Sequence, residues 1–216
     1  MPFAICCGTA GSWSAGSEEC LHIAAAGRSL TIVRMTTRLD TVIETERLVL
    51  RVPRADDLEG LVELMTDEEA ARYIGKAQPP PVIWRGLAMM AGSWVVSGFG
   101  MFSVIEKASG RWVGRVGPWQ PLGWPGTEVG WSVIRSVWGK GYAYEASVAA
   151  MDFAVDVLGW SDIIHSIHPD NTRSQTLAAR LGSVNRGPGR LPQPYESDTV
   201  EIWGQTSAQW KKDRQH

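Results

Sequence analysis

Gly139, Lys140 and Gly141 form a short glycine-bearing turn between the apolar stretch EVGWSVI, residues 128–134, and an alanine-rich segment that begins at Tyr142. This pattern suits an anion. Without Cβ atoms the glycines let backbone N–H groups converge, and the first N–H groups of a following helix lack internal partners and carry the positive end of its dipole. Such a turn can hold phosphate with backbone alone. Spacing narrows the ligand. A Walker loop requires GxxxxGK followed by Ser or Thr, but Lys140 stands between the glycines, and Tyr144 replaces the third glycine of a GxGxxG fingerprint. Nucleoside triphosphates and NAD therefore fit poorly, while a ligand-free turn into a helix stays open.

Other reactive side chains are sparse. The three cysteines, Cys6, Cys7 and Cys20, all precede residue 35, which leaves the rest of the chain without a thiol nucleophile, a disulfide or a cysteine metal ligand and suits the cytoplasm. His165 and His168 are the one close histidine pair. Their odd separation puts them on opposite faces of a strand, so no metal site is expected. A formal charge of -2 gives no global pull toward nucleic acid or anionic lipid. No apolar run reaches the length of a membrane-spanning helix. Ten of the 11 tryptophans lie beyond residue 80, which points to an aromatic interior or groove.

The elements that must position the turn follow from periodicity. The chain of 216 residues is long enough for one sizeable core. Residues 1–34 are rich in small residues without a clear period, and they read as a disordered or mis-assigned extension upstream of a natural start at Met35. A single domain is expected at 35–216. Leu48 to Val52 alternates as a half-buried strand, and Leu58, Leu61, Val62, Leu64 and Met65 form the apolar stripe of a helix. A second short helix fits Glu68 to Ile74, and a third fits Val82 to Val96 after the break at Pro79 to Pro81. Residues 98–119 read as a hairpin turning at Lys107 to Gly110, followed by a strand at Glu128 to Ile134. Tyr142 to Leu158 is the major helix. A strand at Ser161 to Ile167, a helix capped by Asp170 or Asn171 and stopped by Gly182, and two last strands near 183–185 and 199–204 complete the chain. The fold class is α/β of the α+β kind, with a central mixed, mostly antiparallel twisted sheet of about six or seven strands and flanking helices.

At this resolution of detail the chain resembles the GNAT N-acetyltransferases, in particular the RimJ/RimL type that acetylates ribosomal-protein N-termini. The segments that carry the resemblance are TERLVLR at 45–51, GRVGPWQPLGWPGTEVGWSV at 114–133, WGKGYAYEA at 138–146 and HPDNTRSQTLAARLG at 168–182. They span about residues 43–205. The resemblance implies a V-shaped splay between two strands that receives acetyl-CoA. The family's loop motif falls on 136–141, with Gly139 and Gly141 matched and Ser136 where a basic or amide side chain is usual. Recognition would then rest on the backbone from Val137 through Trp138, Gly139, Lys140 and Gly141 to Tyr142, with Val133 near the acetyl carbonyl. Arg135, Lys140 and Arg173 would add charge near the phosphates. Asn171 and Ser174 correspond to residues near the cofactor arm in relatives, although Asn171 also serves as a helix cap.

Transfer of acetyl to an amine requires removal of a proton, because the amine is mostly ammonium in solution. By the resemblance Glu128 and His168 are the candidate catalytic groups. Glu128 lies where the histone-modifying branch carries its catalytic glutamate, and His168 lies at the end of the next strand. The absence of cysteine beyond residue 34 favours direct transfer in a ternary complex over an acyl-enzyme. Tyr195 or a water is the candidate acid for the leaving thiolate. Trp119, Trp124 and Trp131, with Trp84 and Trp94, are candidates to line the acceptor cleft. The acceptor is an amine, either a peptide N-terminus or a small molecule, handled by a monomer or homodimer. A non-catalytic acyl-CoA-binding regulatory module and a dimeric interaction protein are the alternatives.

Overall fold

The computed structural model describes residues 20–25, 28–33 and 38–214. β1 (Cys20–Ala25) and β2 (Arg28–Val33) pair antiparallel as a hairpin. The remainder of the extension expected at 1–34, with the suggested start at Met35, lies outside the described residues.

From Arg38 onward the chain forms one sheet of eight strands. In chain order these are β3 (Val42–Glu44), β4 (Leu48–Arg51), β5 (Phe102–Glu106), β6 (Trp112–Trp119), β7 (Glu128–Val133), β8 (Asp162–Ile167), β9 (Val184–Gly189) and β10 (Val200–Thr206). Their spatial order is β3-β4-β5-β6-β7-β8-β10-β9, and every pairing is antiparallel except β7 with β8. The strand beyond the expected seven is β3, whose three residues are too few to show alternation.

Among the described residues six α-helices flank the sheet: α1 (Leu58–Thr66), α2 (Glu68–Ala71), α3 (Pro80–Val96), α4 (Tyr142–Asp152, extended by a π turn through Val157), α5 (Thr172–Arg180) and α6 (Ser207–Asp213). The expected stripe of α1 buries Leu61, Leu64 and Met65. Trp94 of α3 sits 4.8 Å from Phe102 and 6.2 Å from Phe153, ring centre to ring centre, so α3 joins the core through its own tryptophan. Asp57, at the N-cap of α1, is buried. Its carboxylate accepts from Arg51, from Ser103 Oγ at 2.7 Å and from the Arg54 N–H at 2.7 Å, which fixes the crossing of β4, β5 and the α1 entry.

Candidate active site

The one parallel junction creates the site. β7 and β8 share a single register pair, Glu128 with Ile164, and then part. Two hydrogen bonds close the base of the fork: the Ile164 N–H to Thr127 O at 2.9 Å, and Thr127 Oγ1 to Asp162 O. In antiparallel pairs the backbone groups of alternate residues face opposite neighbours. The Ile134 N–H bonds Val113 O, so Val133 is a non-hydrogen-bonded partner of Gly114, and the backbone groups of Val133 and Trp131 face the gap. There the Val133 carbonyl accepts from Trp138 Nε1 at 3.0 Å.

His165 props the fork open. Its Nδ1 contacts Val129 O at 2.7 Å, its Nε2 contacts Ser183 Oγ at 3.0 Å, and its ring lies 4.7 Å from that of Trp131. Burial drives its pKa down to about 4, so at neutral pH it is an uncharged wedge. Sequence reasoning treated it as half of a weak metal pair. No group able to hold a metal occurs among the described residues.

One cleft opens on the α4 side of the fork, with a volume of about 680 Å³. Its wall includes Val133, Val137, Trp138, Gly139, Gly141 and Tyr142 from the turn, and Asn171 and Ser174 from α5. Gly139 has φ +75° and Gly141 φ +82°, a left-handed conformation that favours glycine, and a Cβ at Gly139 would meet nothing within 4 Å. The N–H groups of Tyr142, Ala143 and Tyr144 open the first turn of α4 without helical partners. Asn171 Oδ1 accepts from the Ser174 N–H at 3.2 Å, the expected cap, and Ser174 Oγ accepts from Trp131 Nε1 at 3.2 Å. Arg173 stacks over Trp138 at 4.1 Å and Arg180 over Tyr144 at 4.5 Å. The exposed Lys140 side chain does not line the cleft; what holds that residue is its carbonyl, which accepts from Arg47 Nη1 at 2.9 Å.

Arg47 is a residue that sequence reasoning left without a role. Its Nε reaches Glu145 at 2.6 Å and its N–H reaches the same carboxylate at 2.8 Å, while Thr45 Oγ1 donates to Glu145 at 2.5 Å. Glu145, in the first turn of α4, thus has three donors from one segment. It latches the start of α4 to the TERLVLR segment, and Arg47 carries that latch to the glycine turn.

A second cleft of about 780 Å³ meets the first at Arg72, Tyr73, Ile74 and Asp170. Glu128 lies in its wall, 7 % exposed, with Oε2 accepting from Trp124 Nε1 at 2.6 Å and Ser166 Oγ at 2.7 Å. Burial pushes its pKa up to about 7 against these two donors, which favour the charged form. His168 also lines this cleft, past the end of β8, with its ring 4.9 Å from Tyr73 and Nδ1 accepting from the Asp170 N–H at 3.1 Å. Trp119, Trp124 and Tyr195 line it too, Tyr195 standing edge-on to Trp124 at 6.3 Å. The other tryptophans fall elsewhere: Trp131 lines the first cleft, Trp94 is buried in the core, and Trp84 is exposed on α3 away from both. The donors Trp124 and Ser166 that shape Glu128 come from a turn and from β8; no sequence signal joined them to it.

Chemically, the first cleft offers backbone donors and cations to an extended anionic ligand. The second offers a half-ionised carboxylate among aromatic rings. The family model described as "Acetyltransferase (GNAT) domain" matches residues 47–184. A protein of Bacillus licheniformis named "Uncharacterized N-acetyltransferase p20" is 29% identical over 155 residues, covering 70% of this chain and 85% of that protein. An acetyltransferase from Agrobacterium tumefaciens superposes with a TM-score of 0.67 at 25% identity, covering 76% of this chain and 95% of that one. The ribosomal-protein-S5-alanine acetyltransferase from Vibrio fischeri superposes with a TM-score of 0.61 at 18% identity, over 79% of this chain and 99% of that one, which speaks to the fold.

Proposed function

The chain belongs to the GNAT acetyltransferase family and is an acyltransferase, and from that premise we propose that it moves an acetyl group from acetyl-CoA to a primary amine by direct transfer in a ternary complex. The observation that carries this reading is the meeting of two clefts, one lined by the glycine turn and the other by Glu128, at the Tyr73 and Asp170 rim. Acetyl-CoA fits the first cleft. Gly139 and Gly141 leave the turn open, the unpartnered N–H groups of α4 suit a pyrophosphate, and Arg173 and Arg180 supply countercharge within the same wall. Bound there, it supplies the acetyl group as a thioester: the C–N bond to the amine forms as the C–S bond breaks, and sulfur leaves as a thiolate that takes up a proton.

The chain's own residues handle the rest. Glu128 in its carboxylate form accepts the amine's proton, and a pKa near 7 is matched to that task at neutral pH. Trp124 and Ser166 occupy Oε2, which leaves Oε1 to face the acceptor. The Val133 and Trp131 N–H groups face the gap between the strands and are the donors for the acetyl carbonyl oxygen. His168 Nδ1 is committed to the Asp170 N–H, so Nε2 is the atom available to relay a proton to solvent. The RimJ/RimL-like branch supports a peptide N-terminus as one acceptor class, small amines being the other. No described helix is long and apolar enough to cross a membrane, and a cytoplasmic place suits an enzyme that draws on acetyl-CoA.

Two measurements test this. Calorimetric titration must show acetyl-CoA binding, and a thiol-release screen with N-terminal peptides, polyamines and aminoglycosides must show turnover that Glu128→Gln removes. Binding without turnover on any amine would sink the enzyme reading in favour of a regulatory module, and no binding would sink both.

A further inference from the structure

Arg115 of β6 lines the acceptor cleft, and no carboxylate pairs with it among the described residues. Its Nε donates to Ser132 Oγ at 3.1 Å and its Nη1 contacts Met90 Sδ at 3.5 Å, a hydroxyl and a thioether that leave its charge unmatched. Desolvation lowers the pKa of this guanidinium, the direction expected where a cation lacks a countercharge. A partly buried, unmatched arginine is costly unless a ligand completes it. Its planar fork suits an oxyanion.

Register places this cation relative to the base. Arg115 lies opposite Ser132, Gly117 opposite Gly130 and Trp119 opposite Glu128, so all six positions share one face of the sheet. Between Glu128 and Arg115 the strand pair carries two buried glycines, Gly117 packed against Phe102 and Gly130 covered by the methyl end of Met101, which itself lines the cleft. A Cβ on Gly130 would meet Met101 Cε at 2.7 Å and Glu128 Oε1 at 3.3 Å, which shows that the uncommitted oxygen of Glu128 leans over this glycine. The bond from Nε to Ser132, directly across the strand pair, keeps the guanidinium at its own level. Four residues of strand put the two levels about 13 Å apart. The two other carboxylates of the cleft, Asp170 and Asp198, are exposed and screened by solvent.

We propose that the acceptor is an amine that also carries an oxyanion several bonds away, the amine presented to Glu128 and the oxyanion bound by Arg115, with the apolar linker between them lying along the Met101 side chain. This rests on the transferase reading above. An α-amino acid, with its charges on neighbouring atoms, is too short for the span. A polyamine brings a second cation to a cation.

The test is kcat/KM by thiol release for glycine, ε-aminocaproate, aminohexyl phosphate, n-hexylamine and hexamethylenediamine, with acetyl-CoA binding measured in parallel. The expected result is an advantage of about tenfold or more for the aminocarboxylate or the aminophosphate over hexylamine, with the diamine and glycine poorest. Whichever oxyanion leads identifies the group. In Arg115→Gln that ratio collapses to about one, and Arg115→Lys keeps part of it. Equal or better use of hexylamine or the diamine by the unaltered protein overturns the inference while leaving the transferase reading intact, and it does so without any variant. A uniform loss across all amines in Arg115→Gln also overturns it, since that is the mark of packing. Acetyl-CoA binding with no turnover of any amine overturns the transferase reading and this inference with it.

Discussion

The two clefts that meet at Tyr73 and Asp170 are made of different material. The donor side presents backbone: two glycines in left-handed conformation, a helix start with unpartnered N–H groups, and cations stacked on half-buried aromatic rings. The acceptor side presents side chains: the buried Glu128 held by Trp124 and Ser166, and the half-buried Arg115 held by Ser132. A backbone cradle is indifferent to most substitutions around it and suits a ligand common to a whole family. A cluster of desolvated side chains changes its preference with one residue, and it suits the ligand that differs.

Glu128→Gln probes the contrast most strongly. It should lower kcat by about 10²–10³ while acetyl-CoA affinity by titration stays within about twofold, because the residue lines only the acceptor cleft. With the carboxylate present, log kcat/KM should climb with pH and level off above about pH 7, the unaltered group's raised value. A drop in acetyl-CoA affinity as large as the drop in rate would mean that the clefts are not separable.

Two buried titratable groups, Glu128 and His165, affect stability with opposite signs, and the same substitution isolates the first. Glu128 binds its proton more tightly folded, about 7, than unfolded, 4.5, so it withdraws stability as pH rises through that window. His165 binds its proton less tightly folded, about 4, than unfolded, 6.5, so it withdraws stability as pH falls through that window. The two trends oppose each other where the windows overlap. Denaturant unfolding should therefore show the stability of Glu128→Gln, relative to the parent, growing by about 3 kcal/mol from pH 4.5 to 7. A difference independent of pH would place the Glu128 carboxyl in water.

On the donor side, Gly141→Ala forces a side chain into φ +82° and brings a Cβ to 3.4 Å from Arg47 Nη2. The expected cost is about 1–2 kcal/mol, read as a lower Tm together with weaker acetyl-CoA binding. Gly130→Ala is its counterpart on the acceptor side. The flexible end of Met101 can yield, so the fold should hold and kcat/KM for the amine should fall about tenfold with acetyl-CoA binding unmoved. If both glycine variants lowered both affinities equally, the division of labour between backbone and side chains would be wrong.

The same division explains what was legible in the sequence. The glycine turn, the α4 start and the Asn171 cap are local, and local chemistry is written in consecutive residues; the strands of the sheet, though not their spatial order, were legible by period, apart from β3, whose three residues carry none. On the acceptor side the sequence offers Glu128, His168, Trp119, Trp124 and Tyr195 as candidates, all of which line the second cleft, but not the contacts among them. Arg115, Trp124, Ser166 and Tyr73 come from four separate elements, and their meeting depends on strand register and on where the β7–β8 pair parts. Lys140 shows the converse. Its charge beside the glycines suggests a phosphate contact; in the structure the exposed side chain is outside the lining of the cleft, and the carbonyl accepts from Arg47.

The latch of Glu145 onto Thr45 and Arg47 joins positions about a hundred residues apart. Closing so long a loop is an entropic cost met only when the intervening strands have paired. The glycine turn is therefore held from both ends of this long loop, so its shape depends on the run of strands that brings β4 beside the start of α4.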